Sequence, residues 1–151
     1  MKNKITNQFK ITLPAISDNE SFCRSLISAF CCRLDPTIEE LCDIKTAVSE
    51  AVTNCIVHAY RNEKNEDKKK ITINAKYTKD NLITIKIKDN GCGIEDITKA
   101  MQPMYTGLPD EERSGMGFSI MECFCDNIKV TSKQGKGTCV TLQKYINKNA
   151  E

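Results

Sequence analysis

The sequence predicts an α/β (α+β) two-layer sandwich: a mostly antiparallel, mixed sheet with helices on one face. Three observations predict it. Apolar residues recur at helical spacing over 22–30 and again over 38–59. Residues 71–87 alternate apolar and polar across a turn signal, and residues 128–145 do so again around KQGKG. A chain of 151 residues suits one domain over 1–151, and 28% charged with 40% apolar residues is the composition of a soluble globular protein.

Each element has its own signal. FKITLPAI reads as a short strand ended by Pro14. Ser17-Asp18-Asn19-Glu20 then reads as a capping box, a hydroxyl and a carboxylate three residues apart that satisfy free helix N–H groups. Phe22, Leu26, Ile27 and Phe30 carry that helix onward. Asp35-Pro36 starts a second, longer helix, with Asp as cap and Pro at the first helical position. Its stripe runs through Ile38, Leu41, Ile44, Val48, Val52, Cys55, Ile56 and Ala59 to Tyr60. RNEKNEDKKK, residues 61–70, is a solvated loop. Ile71, Ile73, Ala75 and Tyr77, the turn KDN, and Ile83, Ile85 and Ile87 make a hairpin with one buried face. From Ile97 to Arg113 the chain has Pro103, Gly107 and Pro109 and no sustained period, so it reads as a long lid-like loop with at most a short helix at its start. GFSIMECF is a helix, and NIKVTS and TCVTLQKY form a closing hairpin.

Composition excludes several classes. The net charge is only +2, and the lysines read as gathered in one loop and near the ends, which gives no reason to expect nucleic acid or anionic lipid. An acidic protein partner stays open. No run approaches about 18 apolar residues, and MKNKITNQFK lacks the apolar segment of a signal peptide, so no membrane is expected and a cytoplasmic location is. The nine cysteines are odd in number, form no CxxC pair and share the chain with a single histidine, His58. They read as small buried hydrophobes rather than as a zinc site.

Three stretches carry chemistry. In SEAVTNCIVHAY, residues 49–60, Glu50, Asn54 and His58 stack on one helix face, apart from the apolar stripe. Ala47 and Ala51 on the same side leave a notch, and a carboxylate beside an amide suits a metal or a hydroxyl; an exposed polar face is the plainer alternative. In DNGCGI, Asp89 is in phase with Ile83, Ile85 and Ile87, so it projects from the buried face of its strand and needs a donor. A ligand amino group could serve, with Gly91 and Gly93 admitting it close to the backbone, although Asn-Gly is also a common turn. In ERSGMGF, glycines at a helix start would expose N–H groups that attract phosphate, with Arg113 just ahead, although GMG alone is also simple helix punctuation. It is neither a P-loop nor a Rossmann turn.

Taken in order, ExxxN on a helix, DxGxG at a strand end, a lid and GxG at a helix start resemble the GHKL-type ATP-binding fold of gyrase-like ATPases and histidine kinases. That resemblance implies ATP or ADP as ligand and Mg2+ on Asn54. It also implies Asp89 as acceptor for the adenine amino group, Gly91 and Gly93 beside the base, Ser114, Gly115, Met116 and Gly117 at the phosphates, and Thr138 near the base. NESFCRSLISAF, LDPTIEEL, IKTAVSEAVTNCIVHAY and RSGMGFSIMECF are similar, over nearly the whole chain, to the anti-sigma factor serine kinases of sporulating bacteria. This implies a homodimer that holds a sporulation sigma factor inactive and phosphorylates a serine of an anti-anti-sigma factor. Glu50 then corresponds to the catalytic carboxylate, Arg113 to the residue reaching the terminal phosphate, and Glu20 and Arg24 to the partner-binding surface. Gly107 in MYTGLPD departs from the family, where a second threonine is common. The alternatives are a stress-response paralogue and an ATP-binding clamp without kinase activity.

Overall fold

Antiparallel pairing runs through all five strands of the computed structural model, which describes residues 4–102 and 117–147. The strands are β1 (Ile5–Pro14), β2 (Lys70–Thr78), β3 (Leu82–Asp89), β4 (Asn127–Lys133) and β5 (Gly137–Tyr145), in the order β1-β2-β3-β5-β4. The expected two-layer sandwich is there, without the parallel pair that a mixed sheet would contain. Ile71, Ile73, Ala75 and Tyr77 of β2, and Ile83, Ile85 and Ile87 of β3, are buried on one face with Val140 and Leu142 of β5. Helices α1 (Asp18–Cys31), α2 (Ile38–Asn54) and α4 (Gly117–Phe124) form the second layer; α3 (Ile97–Ala100) is a single turn. Burial of this kind stabilises by about 25 cal/mol per Å² of apolar surface, so the alternation in β2 and β3 fixes which face meets the helices. Phe30 of α1 packs edge-on to Phe9 at 4.8 Å between ring centroids and tilted against Tyr77 at 4.9 Å.

Local boundaries differ from expectation in three places. β1 begins at Ile5 rather than Phe9, because backbone pairing with β2 reaches Ile5↔Thr78 where the side chains are exposed and leave no alternation to read. The box expected at Ser17 is absent: the Ser17 side chain makes no capping bond, and the Glu20 carboxylate accepts from the Ser49 hydroxyl of α2 instead. The box belongs to α2 and to Thr37. Glu40 N–H donates to Thr37 Oγ1 at 3.0 Å, and Thr37 N–H donates to Glu40 Oε1 at 2.9 Å. Asp35 cannot cap because its left-handed backbone, φ 54°, closes the short 3-10 turn Cys32–Leu34.

Past Asn54 the long helix loosens into a π-helical turn, Cys55–Ala59. Such turns recur at functional sites because they re-aim side chains within an otherwise regular helix. The cysteines divide evenly: Cys23, Cys31 and Cys55 are buried, whereas Cys32, Cys42 and Cys123 are exposed despite their apolar phase. Burial pushes the Cys23 thiol up to about 11 and that of Cys31 up to about 12, so both stay protonated and unreactive at neutral pH. Among the described residues no three His, Cys, Asp or Glu side chains form a metal-binding group, and no helix is long and apolar enough to cross a membrane.

Candidate functional site

A cavity of about 780 Å³ opens between the end of α2 with its π-turn, the end of β3, the segment leading into α3, and the head of α4. That is the size of a pocket for a small organic ligand. Asn54, Asp89, Gly93, Gly117 and Thr138 all line it, so stretches far apart in sequence meet at one place as the motif order implies.

Asp89 is the buried charge of the site, 5% exposed at the inner end of β3. Its two oxygens are treated differently. Oδ1 accepts from the backbone N–H of Gly91 at 2.9 Å and of Thr138 at 3.2 Å, whereas Oδ2 receives only the weak Cys55 thiol at 3.6 Å. A carboxylate oxygen has more acceptor capacity than a thiol fills, so Oδ2 suits an N–H donor in the cavity. Burial raises the Asp89 pKa above the usual 3.8, opposed by the bonds from Gly91, Thr138 and Cys55. Burial likewise drives the Cys55 pKa well up, which keeps its S–H as a donor. The Thr138 hydroxyl shares a 2.8 Å bond with Ser132, and Ser132 Oγ accepts from Ile94 N–H at 2.7 Å, so the wall beside Asp89 is held by one network.

At the other end α4 begins against the polar face of α2. A Cβ placed on Gly117 would stand 3.3 Å from Glu50 Oε2 and 3.6 Å from Asn54 Nδ2. Glu50 and Asn54 therefore meet at the head of that helix. His58, a turn further on, lines the cavity with Asn54, whereas Glu50 is not a cavity residue. Ala47 and Ala51 are 0% and 1% exposed rather than an open surface notch, and of the two only Ala51 lines the cavity. Arg113, Ser114, Gly115, Met116 and Gly107 lie outside the described residues. Glu20 and Arg24 are not cavity residues; Arg24 Nε lies 3.0 Å from Glu20 Oε1 without hydrogen-bond alignment, a charge pair on α1 linked to α2 through Ser49.

The glycines of DNGCGI act on the protein's own backbone. A Cβ on Gly91 would overlap the Ala59 carbonyl, and Cys92 N–H donates to that same oxygen at 2.7 Å; Gly91 itself is not a cavity residue. Gly93 does line the cavity, with φ 75° and its Cα against the Lys133 carbonyl. The two glycines thus let the turn after β3 dock onto the π-turn and β4. Sequence reasoning missed Cys55, Ser132 and Tyr60 as site residues. Tyr60 accepts from Asn90 N–H at 2.8 Å and donates to Lys70 O, pinning the turn from below. Cys55, Tyr60 and Ser132 reach Asp89, Asn90 and Ile94, each 30 or more residues away, so no local spacing marks those contacts, although Tyr60 also bonds Lys70 and Ser132 also bonds Thr138 nearby in sequence.

Residues 14–144 match the family described as "Histidine kinase-like ATPase domain". The anti-sigma F factor of Caldanaerobacter subterraneus subsp. tengcongensis is 53% identical over 95% of this chain and 96% of its own length. That of Clostridium acetobutylicum is 50% identical over 93% and 94%. The chain belongs to the anti-sigma F factor family. The fold of the family member described here also matches solved structures. One contains the RsbU and RsbW domains of a Mycobacterium tuberculosis protein, with TM-score 0.68 and 19% identity over 93% of this chain and 33% of that one. In the SiaB-SiaC complex of Pseudomonas aeruginosa the figures are 0.62 and 12%, over 94% and 90%. Its domain is of a nucleotide-binding, ATPase-like kind, and Asp89 Oδ2 with the cavity in front of it fits such a ligand.

Proposed function

We propose that this anti-sigma F family protein holds a sporulation sigma factor inactive and, as an ATP-dependent serine kinase, phosphorylates a serine of an anti-anti-sigma factor. One observation carries the reading: Asn54 and Gly117 line one end of a cavity whose other end holds Asp89, and Glu50, one helical turn before Asn54, sets its carboxylate against the same Gly117. The names of the relatives reported above, anti-sigma F factors at about half identity, favour the sporulation role over a stress-response one.

Phosphoryl transfer asks a protein for positioning and charge stabilisation more than for covalent help. Bound magnesium and nucleotide supply the phosphoryl group and its charge compensation. Asn54 is the residue to hold the metal, since Mg2+ takes few protein oxygens and completes its shell with phosphate and water. Asp89 Oδ2 accepts from the adenine amino group, while Gly91 and Thr138 keep the carboxylate in place through Oδ1. Glu50 orients the incoming serine hydroxyl and accepts its proton. Arg113 and the residues 114–117 would face the terminal phosphates, and Glu20 and Arg24 the protein partners. The working unit is a homodimer in the cytoplasm.

The test is to incubate the protein with labelled ATP and the anti-anti-sigma protein, and separately to capture the sigma factor with ATP or ADP present. Label on a partner serine together with sigma retention is the expected result. Retention without transfer would make the protein an ATP-dependent clamp, and neither would end the proposal.

A further inference from the structure

The face of the sheet turned away from the helices is basic across its whole width. The register places Lys10 of β1, Asn74, Lys86 of β3, Thr141 and Lys129 of β4 in one row across all five strands. Lys88 stands in the neighbouring row, with Lys76 and Lys133 on either flank. Lys10, Lys86, Lys88, Lys129 and Lys133 are exposed. No aspartate or glutamate occupies any strand position on this face. Among the described residues the acidic side chains lie off these strand positions, several on the helical layer, such as Glu39, Glu40 and Asp43 of α2, which is why a net charge of +2 conceals the asymmetry. The lysines are therefore not gathered in one loop and near the ends, as expected, but spread over the strands.

Strands are about 4.8 Å apart, so Lys10, Lys86 and Lys129 follow one another at about 10 Å. That is close to the screening length of about 8 Å at physiological salt, and their fields overlap. Protection of sheet edges accounts for lysines on β1 and β4. It does not account for Lys86 and Lys88, which sit on the central strand. The neutral polar residues between the lysines bond to one another: Thr12 with Thr72 at 3.1 Å, Gln143 Nε2 to Thr84 Oγ1 at 3.2 Å, and Asn127 Nδ2 to Gln143 Oε1 at 3.1 Å. The lysine ammoniums are the groups left to reach outward.

We propose that this face docks an acidic protein surface and speeds its capture by electrostatic steering. The reading does not rest on the nucleotide site. Nucleic acid is the less suited polyanion, because among the described residues the strand positions of this face present no arginine for bidentate contacts and, apart from Tyr145 at one end, no aromatic ring for base stacking. Lysines are hydrated point charges on flexible stems, suited to raising an association rate against scattered carboxylates rather than to reading a fixed pattern.

The experiment compares the whole protein with two triple variants of equal net charge. One carries Lys10→Gln, Lys86→Gln and Lys129→Gln on the face; the other carries Lys64→Gln, Lys68→Gln and Lys79→Gln, all exposed and outside it. Binding of poly-L-glutamate and of a 20-base-pair duplex is measured at low and physiological salt, with the single variant Lys86→Gln as a check that the triple has not simply misfolded. The expected result is that the face triple loses about tenfold or more of poly-L-glutamate association rate, the single variant loses part of it, and the loop triple stays close to wild type. Equal loss in both triples, no binding by the wild type, an unaffected face triple, or tighter capture of the duplex through the same lysines would overturn the proposal.

Discussion

Asp89 is held by backbone N–H groups from the turn after β3 and from the start of β5, whereas Glu50 and Asn54 stand on consecutive turns of a single helix against Gly117. The first end of the cavity is fixed by the chain's own path. The second is fixed by side-chain identity on a regular element. A substitution that bends the path should therefore damage folding and recognition together, while one that changes a side chain on α2 should damage chemistry alone.

Gly91→Ala is expected to have the largest effect, because its Cβ would overlap the Ala59 carbonyl and the N–H it would displace supports Asp89. We expect a loss of about 3 kcal/mol or more in stability, measured by denaturant unfolding, and weakened ATP binding with it. Gly117→Ala is the contrasting case. Its Cβ meets the ends of two side chains, Glu50 at 3.3 Å and Asn54 at 3.6 Å, so stability should change by less than about 1 kcal/mol. Comparable losses in the two variants would erase the distinction between the ends.

Glu50→Gln comes next and sharpens the comparison from the other side. It keeps the shape of the side chain and removes its basicity, so single-turnover transfer from labelled ATP to the partner serine should slow about 100-fold or more while ATP binding is kept. Transfer at close to the wild-type rate would leave Glu50 as a structural residue.

Smaller effects follow from the protonation of Asp89. Its pKa is raised in the folded protein, so the native state binds that proton more tightly than the unfolded chain. Its contribution to stability falls as pH rises from the ordinary aspartate value of 3.8 to the raised native one, and above that window the buried charge is a constant cost. ATP affinity should run the opposite way, dropping as pH falls through the native value, because only the ionised carboxylate leaves both oxygens as pure acceptors. Titrations of ATP binding between about pH 4 and 7 check this, and Asp89→Asn should abolish this component. Cys55→Ala is expected to have the smallest effect on recognition. It frees Oδ2 of a weak donor, so ATP affinity should stay within about threefold of wild type by calorimetry.

How much of this was legible in the sequence follows the same division. The helix period placed Glu50 and Asn54 together, and the strand period placed Asp89 on the buried face, because both are local repeats that burial enforces. The docking of Thr138 N–H on Asp89 spans 49 residues and depends on β5, not β4, lying beside β3, which no local pattern states. Ser17 and Thr37 show the limit at finer scale. Both are followed three residues on by Glu, yet only Thr37 closes a capping box, because the Glu20 carboxylate is drawn to Ser49 on the neighbouring helix. The lysine face was hidden for a related reason. Its members are scattered along four strands and gather only through the register.

The account rests most heavily on Asp89 as the acceptor for a purine amino group, and calorimetry of wild type and Asp89→Asn with ATP and GTP tests it most directly. In the variant the amide oxygen can still accept from Gly91 and Thr138, so the fold should persist, while its NH2 group then faces the cavity in place of Oδ2. A donor facing a donor costs about 1 to 3 kcal/mol, about 5- to 150-fold in affinity. The account predicts that wild type prefers ATP to GTP, that Asp89→Asn loses ATP affinity by that factor, and that its thermal unfolding stays close to wild type. Equal ATP affinity in the two proteins, or a wild-type preference for GTP, would contradict it.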